Sequence, residues 1–230
     1  MVHLPDIFVY GASRQGSVVI GVLQAQGYRV LGFIDDNPRL YDSSFKGLPV
    51  YPGSDWIQNH SRPDRSVIVA IGNNDVRVRI GQRLRASGLR LVNAIHPSAV
   101  LMQDVRLGSG VLICAGAVVI TGTTLQDDTV INTGATVDHD SVIEQGAYLA
   151  PGVHTAGCVT IRKCAFVGSG TVIGPGVVIG EGSIVGAGSL VLQDVPPQML
   201  AYGSPAKPVR ALSGPVDWHQ ILSGKQKSDM

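Results

Sequence analysis

The chain has 230 residues, 44% of them hydrophobic and only 5% aromatic, with a formal net charge of +1. That balance provides no basic field for nucleic acid or an anionic membrane surface, and the scarcity of rings removes the stacking platforms of single-strand binders. Apolar residues come in runs too short to span a bilayer, and residues 1–5 lead into a strand-like run without a basic-then-apolar leader, so a soluble cytoplasmic protein is expected.

Residues 7–97 alternate apolar runs with helix-length segments. Residues 7–12, 30–35, 66–72 and 91–96 read as buried strands, and 17–26 and 75–87 as helices stopped by Gly27 and Gly88. Residues 47–52 read as a loop and 54–60 as a short helix. A βαβ series of this kind predicts a small parallel sheet with helices on it, an α/β Rossmann-like domain.

The first strand-to-helix turn is Gly11-Ala12-Ser13-Arg14-Gln15-Gly16. Free backbone N–H groups and the helix dipole favour a phosphate there. Position 13 is not the glycine of a dinucleotide fingerprint and no Lys-Ser/Thr follows, which disfavours NAD and ATP. Asp35 and Asp36 end the second strand, and Gly72, Asn73 and Asn74 end the third, with Arg77 one helical turn later. Strand ends converging on one crevice predict nucleotide binding by these residues.

Pro97 forces its predecessor into an extended conformation and marks a boundary. Beyond it, every sixth residue from Leu107 to Val191 is aliphatic except Thr155, and the residue four later is always small or β-branched. That period, held in phase across 107–191, is the signature of a hexapeptide β-helix, in which three short strands make a triangular coil of about 18 residues. The expected division is 1–97, 98–212 and a polar tail at 213–230 that includes Trp218. Cys114, Cys158 and Cys164 fall inside the repeat at spacings that fit no zinc motif and read as reduced thiols.

Within Val137-Asp138-His139-Asp140-Ser141 the inward positions are Val137 and Ser141, so His139 projects from a corner between two carboxylates. A carboxylate partner fixes the tautomer of a histidine and raises its basicity, as a general base requires. A solvated corner histidine and a metal ligand are the alternatives; His154 sits at another corner, and a third ligand for zinc is not evident.

Residues 7–212 resemble the sialic-acid-type and bacillosamine-type sugar O- and N-acetyltransferases. The motifs that carry the resemblance are the turn from Gly11 to Gly16, Phe33-Ile34-Asp35-Asp36, Ala70-Ile71-Gly72-Asn73-Asn74, Ile95-His96-Pro97-Ser98-Ala99, the stretch from Ile131 to Asp140, and Gly203-Ser204-Pro205-Ala206-Lys207. The resemblance implies a left-handed β-helix, a homotrimer with active sites at subunit interfaces, and acetyl-CoA as cosubstrate with no metal. It implies His139 as the base for the amine of a nucleotide-linked 4-amino-4,6-dideoxy sugar, and Asp140 as its support. It also implies Gly157, Ser169, Ala187 and Lys207 along the acetyl-CoA groove. Two positions depart from the family pattern. Arg14-Gln15-Gly16 stands for Gly-His-Gly, and Tyr148 stands where a second histidine would bond the acetyl carbonyl. Half a coil separates Tyr148 from His139, so the two are expected to meet across a subunit interface. Acetylation of a hydroxyl, a metal-dependent hydratase and a non-catalytic scaffold are the competing readings.

Overall fold

The computed structural model describes residues 6–60 and 65–213. Trp218 and all but the first residue of the expected tail lie outside them. Strand β1 (Ile7–Tyr10) is buried at all four positions and pairs in parallel with β2 (Val30–Asp35) and with β5 (Ser66–Val69). Helix α1 (Arg14–Gln26) starts three residues before the expected position because Ser13 is its extended N-cap, and Gly27 closes it at φ 91°. Helix α3 (Asn74–Ala86) is capped by Asn73, whose side chain accepts from the Val76 N–H at 3.0 Å.

Residues 47–52 are not a loop. A short β3 (Ser44–Phe45) leads into β4 (Leu48–Pro52), which pairs with β2 and buries Val50, and α2 (Gly53–His60) follows. Pro49 and Pro52 mask the strand in sequence, yet both are tolerated because β4 has only the two-residue β3 on its outer side. The run at 91–96 is also divided. β6 (Arg90–Leu91) ends the first sheet, whereas β7 (Ala94–Ile95) already belongs to the β-helix, pairing with Leu112–Ile113. The prism therefore starts before Pro97.

From Ala94 to Val191 two-residue strands stack in three parallel sheets, each partner 18 residues on, as in Val100↔Val118↔Thr136. The six-residue series points inward, with Leu125, Ile131, Val137, Ile143 and Leu149 fully buried. Inward hydroxyls are satisfied locally: Thr123 donates to the Asp138 carbonyl at 3.1 Å and Thr171 to that of Gly186 at 3.1 Å.

The three outer faces differ. One carries Ala94, Leu112, Val130, Tyr148, Phe166 and Ile184, all buried, in the same sheet as β7, on which α1 packs. A second, through Thr136 and His154, is open and largely aliphatic: Val100 is 50% and Val172 44% exposed. The third runs through Arg106, Thr124, Val142, Thr160 and Val178.

Helix α3 is bolted to the prism. Arg77, 2% exposed, donates from Nε to the Asp128 carbonyl (2.8 Å), from Nη1 to Ile71 and Gly72, and from Nη2 to Asn74 Oδ1 (2.9 Å) and the Gly146 carbonyl (2.8 Å). Asn74 in turn donates to the Cys164 carbonyl at 2.9 Å. Two turns on, Arg85 forks onto buried Asp128 with two 2.9 Å bonds. Gly81 permits this approach, since a Cβ there would stand 2.7 Å from the Asp128 carboxylate. Burial raises the Asp128 pKa, and Arg85 opposes that shift.

Candidate active site

His139 and Asp140 occupy the corner between the open aliphatic face and the face through Val142. His139 Nδ1 lies 2.9 Å from Asp140 Oδ2. A carboxylate only accepts, so Nδ1 carries the proton and Nε2 presents its lone pair. The hydrogen bond to Asp140 is the largest cause raising the imidazole pKa; desolvation opposes it, and the Asp138 charge adds a smaller rise. The ring is half exposed and the Asp140 side chain 65% exposed.

The corner is held from several sides. The His139 N–H donates to Asp138 Oδ1 at 2.7 Å, and the Asp138 N–H donates to Thr155 Oγ1 at 3.1 Å. Thr155 is the one interruption of the aliphatic series, and its hydroxyl holds the residue before the histidine. That interruption was the visible signal for this positioning role. Gly157, one coil on, leaves room for the ring: a Cβ would stand 2.5 Å from Cε1 and closer still to Nε2. Beside it is Cys158, whose thiol, a His139 ring nitrogen and an Asp140 oxygen lie within 4.8 Å of one another. No sequence motif marks Cys158, because coil stacking and not local spacing brings it there.

Tyr148 departs from expectation. It is 4% exposed, its hydroxyl accepts from Asn132 Nδ2 at 2.8 Å, and its ring packs 5.3 Å from Phe166 and under the Arg77 guanidinium. Burial raises its pKa, opposed by Arg77. Rather than presenting a phenol at an exposed face, Tyr148 is part of the packed junction, with Gln15 from the first turn of α1 against its hydroxyl.

The N-terminal crevice separates into open and committed groups. Gly11 has φ 116° and lies so close to strand β5 that a Cβ would stand 2.6 Å from the Ala70 carbonyl, while a Cβ on Gly16 would collide with the Gly11 carbonyl. These glycines fold the turn tightly. Ser13 and Arg14 are exposed, and no side chain caps the first N–H groups of α1. Asp35, in contrast, is consumed by the loop: it accepts from the Ala12 N–H at 2.8 Å and the Asn37 N–H at 2.9 Å. Asp36 accepts from the Tyr10 hydroxyl at 2.6 Å and pairs with Arg83 at 3.2 Å, keeping about half its side chain exposed. Asn73 is a helix cap. Asn74, Arg77 and the Gly72 carbonyl belong to the junction with the prism, so the expected ligand role of Asn74 and Arg77 is corrected: every N–H of Arg77 is directed at a protein oxygen.

Ser169 and Ala187 are exposed at one corner on successive coils, linked by the Gly188 N–H donating to the Ser169 carbonyl at 2.8 Å. That corner borders the open aliphatic face on the side opposite His139. Exposed Lys207 lines a cleft with Leu192, Gln193, Pro205 and Ala206 at the end of the same face.

Residues 6–84 match the PglD N-terminal domain family, and 158–193 match the six-repeat bacterial transferase hexapeptide family. Over 116 residues, 49% of the chain, it is 30% identical to UDP-N-acetylbacillosamine N-acetyltransferase from Bacillus subtilis, and the match spans about half (52%) of that relative's length. It is similar to a His-to-Asn variant of perosamine N-acetyltransferase from Caulobacter crescentus in complex with CoA and GDP-perosamine. Identity is 36% and the TM-score 0.85, over 90% of this chain and 98% of that one. The acetyltransferase domain of PglB from Neisseria gonorrhoeae, in complex with acetyl coenzyme A, is 32% identical with a TM-score of 0.82 over 89% of this chain and 98% of that one. An α/β domain joined to a hexapeptide-repeat left-handed β-helix, with these relatives, places the chain in the family of hexapeptide-repeat sugar N-acetyltransferases that carry a PglD-type N-terminal domain.

Proposed function

We propose that the chain transfers the acetyl group of acetyl-CoA to the amine of a nucleotide-linked 4-amino-4,6-dideoxy sugar, with His139 as general base. The observation that carries this reading is the 2.9 Å contact between His139 Nδ1 and Asp140, which leaves Nε2 unprotonated at an exposed corner. The sugar amine attacks the thioester carbonyl, Nε2 takes the amine proton, and collapse expels the CoA thiolate, which recovers that proton. Asp140 stabilises the intervening imidazolium. With Tyr148 packed away, the developing oxyanion falls to a coil N–H.

The N-terminal α/β domain holds the nucleotide: the open N–H groups of α1 and Arg14 receive the diphosphate, with Ser13 and Gln15 beside them. Residues 98–212 hold acetyl-CoA along the Ser169 and Ala187 corner toward Lys207. The aliphatic ladder of exposed Val100 and Val172 with half-buried Val118 and Leu190 is the surface through which a homotrimer would form, placing the acetyl-CoA corner of one copy near the His139 corner of the next. A cytoplasmic location fits both substrates, and among the described residues no helix is long and apolar enough to cross a membrane.

Release of CoA thiol on mixing the protein with acetyl-CoA and UDP-, dTDP- or GDP-linked 4-amino sugars tests the reading. Turnover with one of them, reduced about a hundredfold or more in His139→Ala, is expected. Turnover only with hydroxyl sugars would replace it by O-acetylation.

A further inference from the structure

Left-handed corners in this prism are mostly glycine, but two columns each carry an aspartate and a cysteine: Asp128 and Cys164 in the one against α3, Asp140 and Cys158 in the exposed one. Gly122 (φ 73°), Asp140 (φ 56°), Cys158 (φ 60°) and Gly176 (φ 69°) follow one another at 18-residue intervals. The Asp140 N–H donates to the Thr121 carbonyl at 3.0 Å and the Cys158 N–H to the His139 carbonyl at 2.8 Å, so the two corners are stacked directly. Successive coils sit about 4.8 Å apart. Aspartate tolerates a left-handed backbone through local hydrogen bonding, whereas cysteine has no such advantage. Flanking glycines keep the column open: a Cβ on Gly122 would collide with Asp140 Oδ1, and one on Gly157 with the imidazole. The result is an imidazole, a carboxylate and a thiol, all exposed, with ligand atoms within 4.8 Å.

We propose that His139, Asp140 and Cys158 form a binding site for a soft divalent cation of the zinc class, and that its occupancy blocks acetyl transfer. Bond lengths of about 2.0–2.3 Å to nitrogen, oxygen and sulfur put tetrahedral ligands roughly 3.5 Å apart. Rotation of three exposed side chains closes the remaining ångström or so, and water completes the shell. Thiolate and imidazole together select zinc over magnesium or calcium, which prefer oxygen. Cys158 is the exposed cysteine of the three; Cys114 is buried, with its thiol pKa pushed up to about 11. A bound cation occupies a ring nitrogen of His139 or strips away its Asp140 partner, and either event removes the base. The blocking half rests on the reading of His139 as base; the binding half rests only on geometry.

The full-length protein would be titrated with Zn2+ against a chromogenic chelator, and with Co2+ to detect thiolate-to-metal charge-transfer absorption, alongside Cys158→Ser and Cys158→Gly. Glycine suits a left-handed corner, so the second variant keeps the fold. One equivalent per chain, a thiolate band, at least tenfold weaker binding in both variants, and inhibition that tracks occupancy and reverses with EDTA are expected. Basal turnover of both variants stays at the parent level. Equal zinc affinity in parent and variants, or no thiolate band, would overturn the site. Cysteine-dependent binding with undiminished turnover would overturn the blocking half and, with it, the role of His139.

Discussion

Gly157 stands one coil beyond His139, and the imidazole occupies the space its missing side chain leaves. Gly157→Ala therefore pushes the ring out of its place without touching any group that titrates. Misplacement by about an ångström costs roughly a hundredfold in a positioned reaction. A drop in kcat of tenfold or more with an unchanged circular dichroism spectrum is expected; parent-level kcat would show that the ring finds an equally good position.

The pH profile tests the proposed base. Hydrogen bonding to Asp140 raises the His139 pKa above 6.5, so the neutral ring is lost, and kcat/KM falls, as pH drops through that raised value. Asp140→Asn removes the largest cause of the shift. Its acid limb should move to lower pH while the plateau rate falls about tenfold or more. An unmoved limb would assign the titration to another group.

Two arginines separate binding from architecture. Arg77→Ala leaves buried carbonyls of Asp128 and Gly146 without a donor and should cost about 3–5 kcal/mol, the usual consequence of breaking a buried charged network. Denaturant titration measures it. Arg14→Ala removes an exposed side chain and should leave stability within about 0.5 kcal/mol while raising KM for the nucleotide sugar. The opposite pattern would exchange the two roles.

On the open face, Val172→Asp places a carboxylate in the aliphatic ladder. Sedimentation should then show a monomer, and acetyl transfer should be lost in parallel. A fully active monomer would confine the whole site to one chain.

The repeat was legible because a β-helix imposes one period on every inward position, and the His139–Asp140 contact was legible because two carboxylates flank the histidine. The junction was not. Asn74 and Arg77 have the spacing of phosphate ligands, and nothing local tells which face of α3 meets Asp128, Gly146 and Cys164. Asp35 similarly has the right place for a ribose, but its oxygens hold the turns at Ala12 and Asn37. Tyr148 was set half a coil from His139, and nothing local signals its packing against Phe166 and the Arg77 guanidinium. Cys158 escaped because its neighbours are one coil away in sequence. Thr155, by contrast, was in view throughout as the single break in the aliphatic series.

The bolt between α3 and the prism makes the β-helix a ruler. Arg77 reaches the carbonyls of Asp128 and Gly146, on adjacent coils, and His139 lies on the chain between those two marks. The distance from the N-terminus of α1 to His139 is therefore counted in whole coils, in steps of about 4.8 Å. Shifting the docked domain along the prism by one graduation would preserve every strand pairing yet separate donor and acceptor by more than a bond length can bridge. On the proposed function, substrate length is thus matched to an integer.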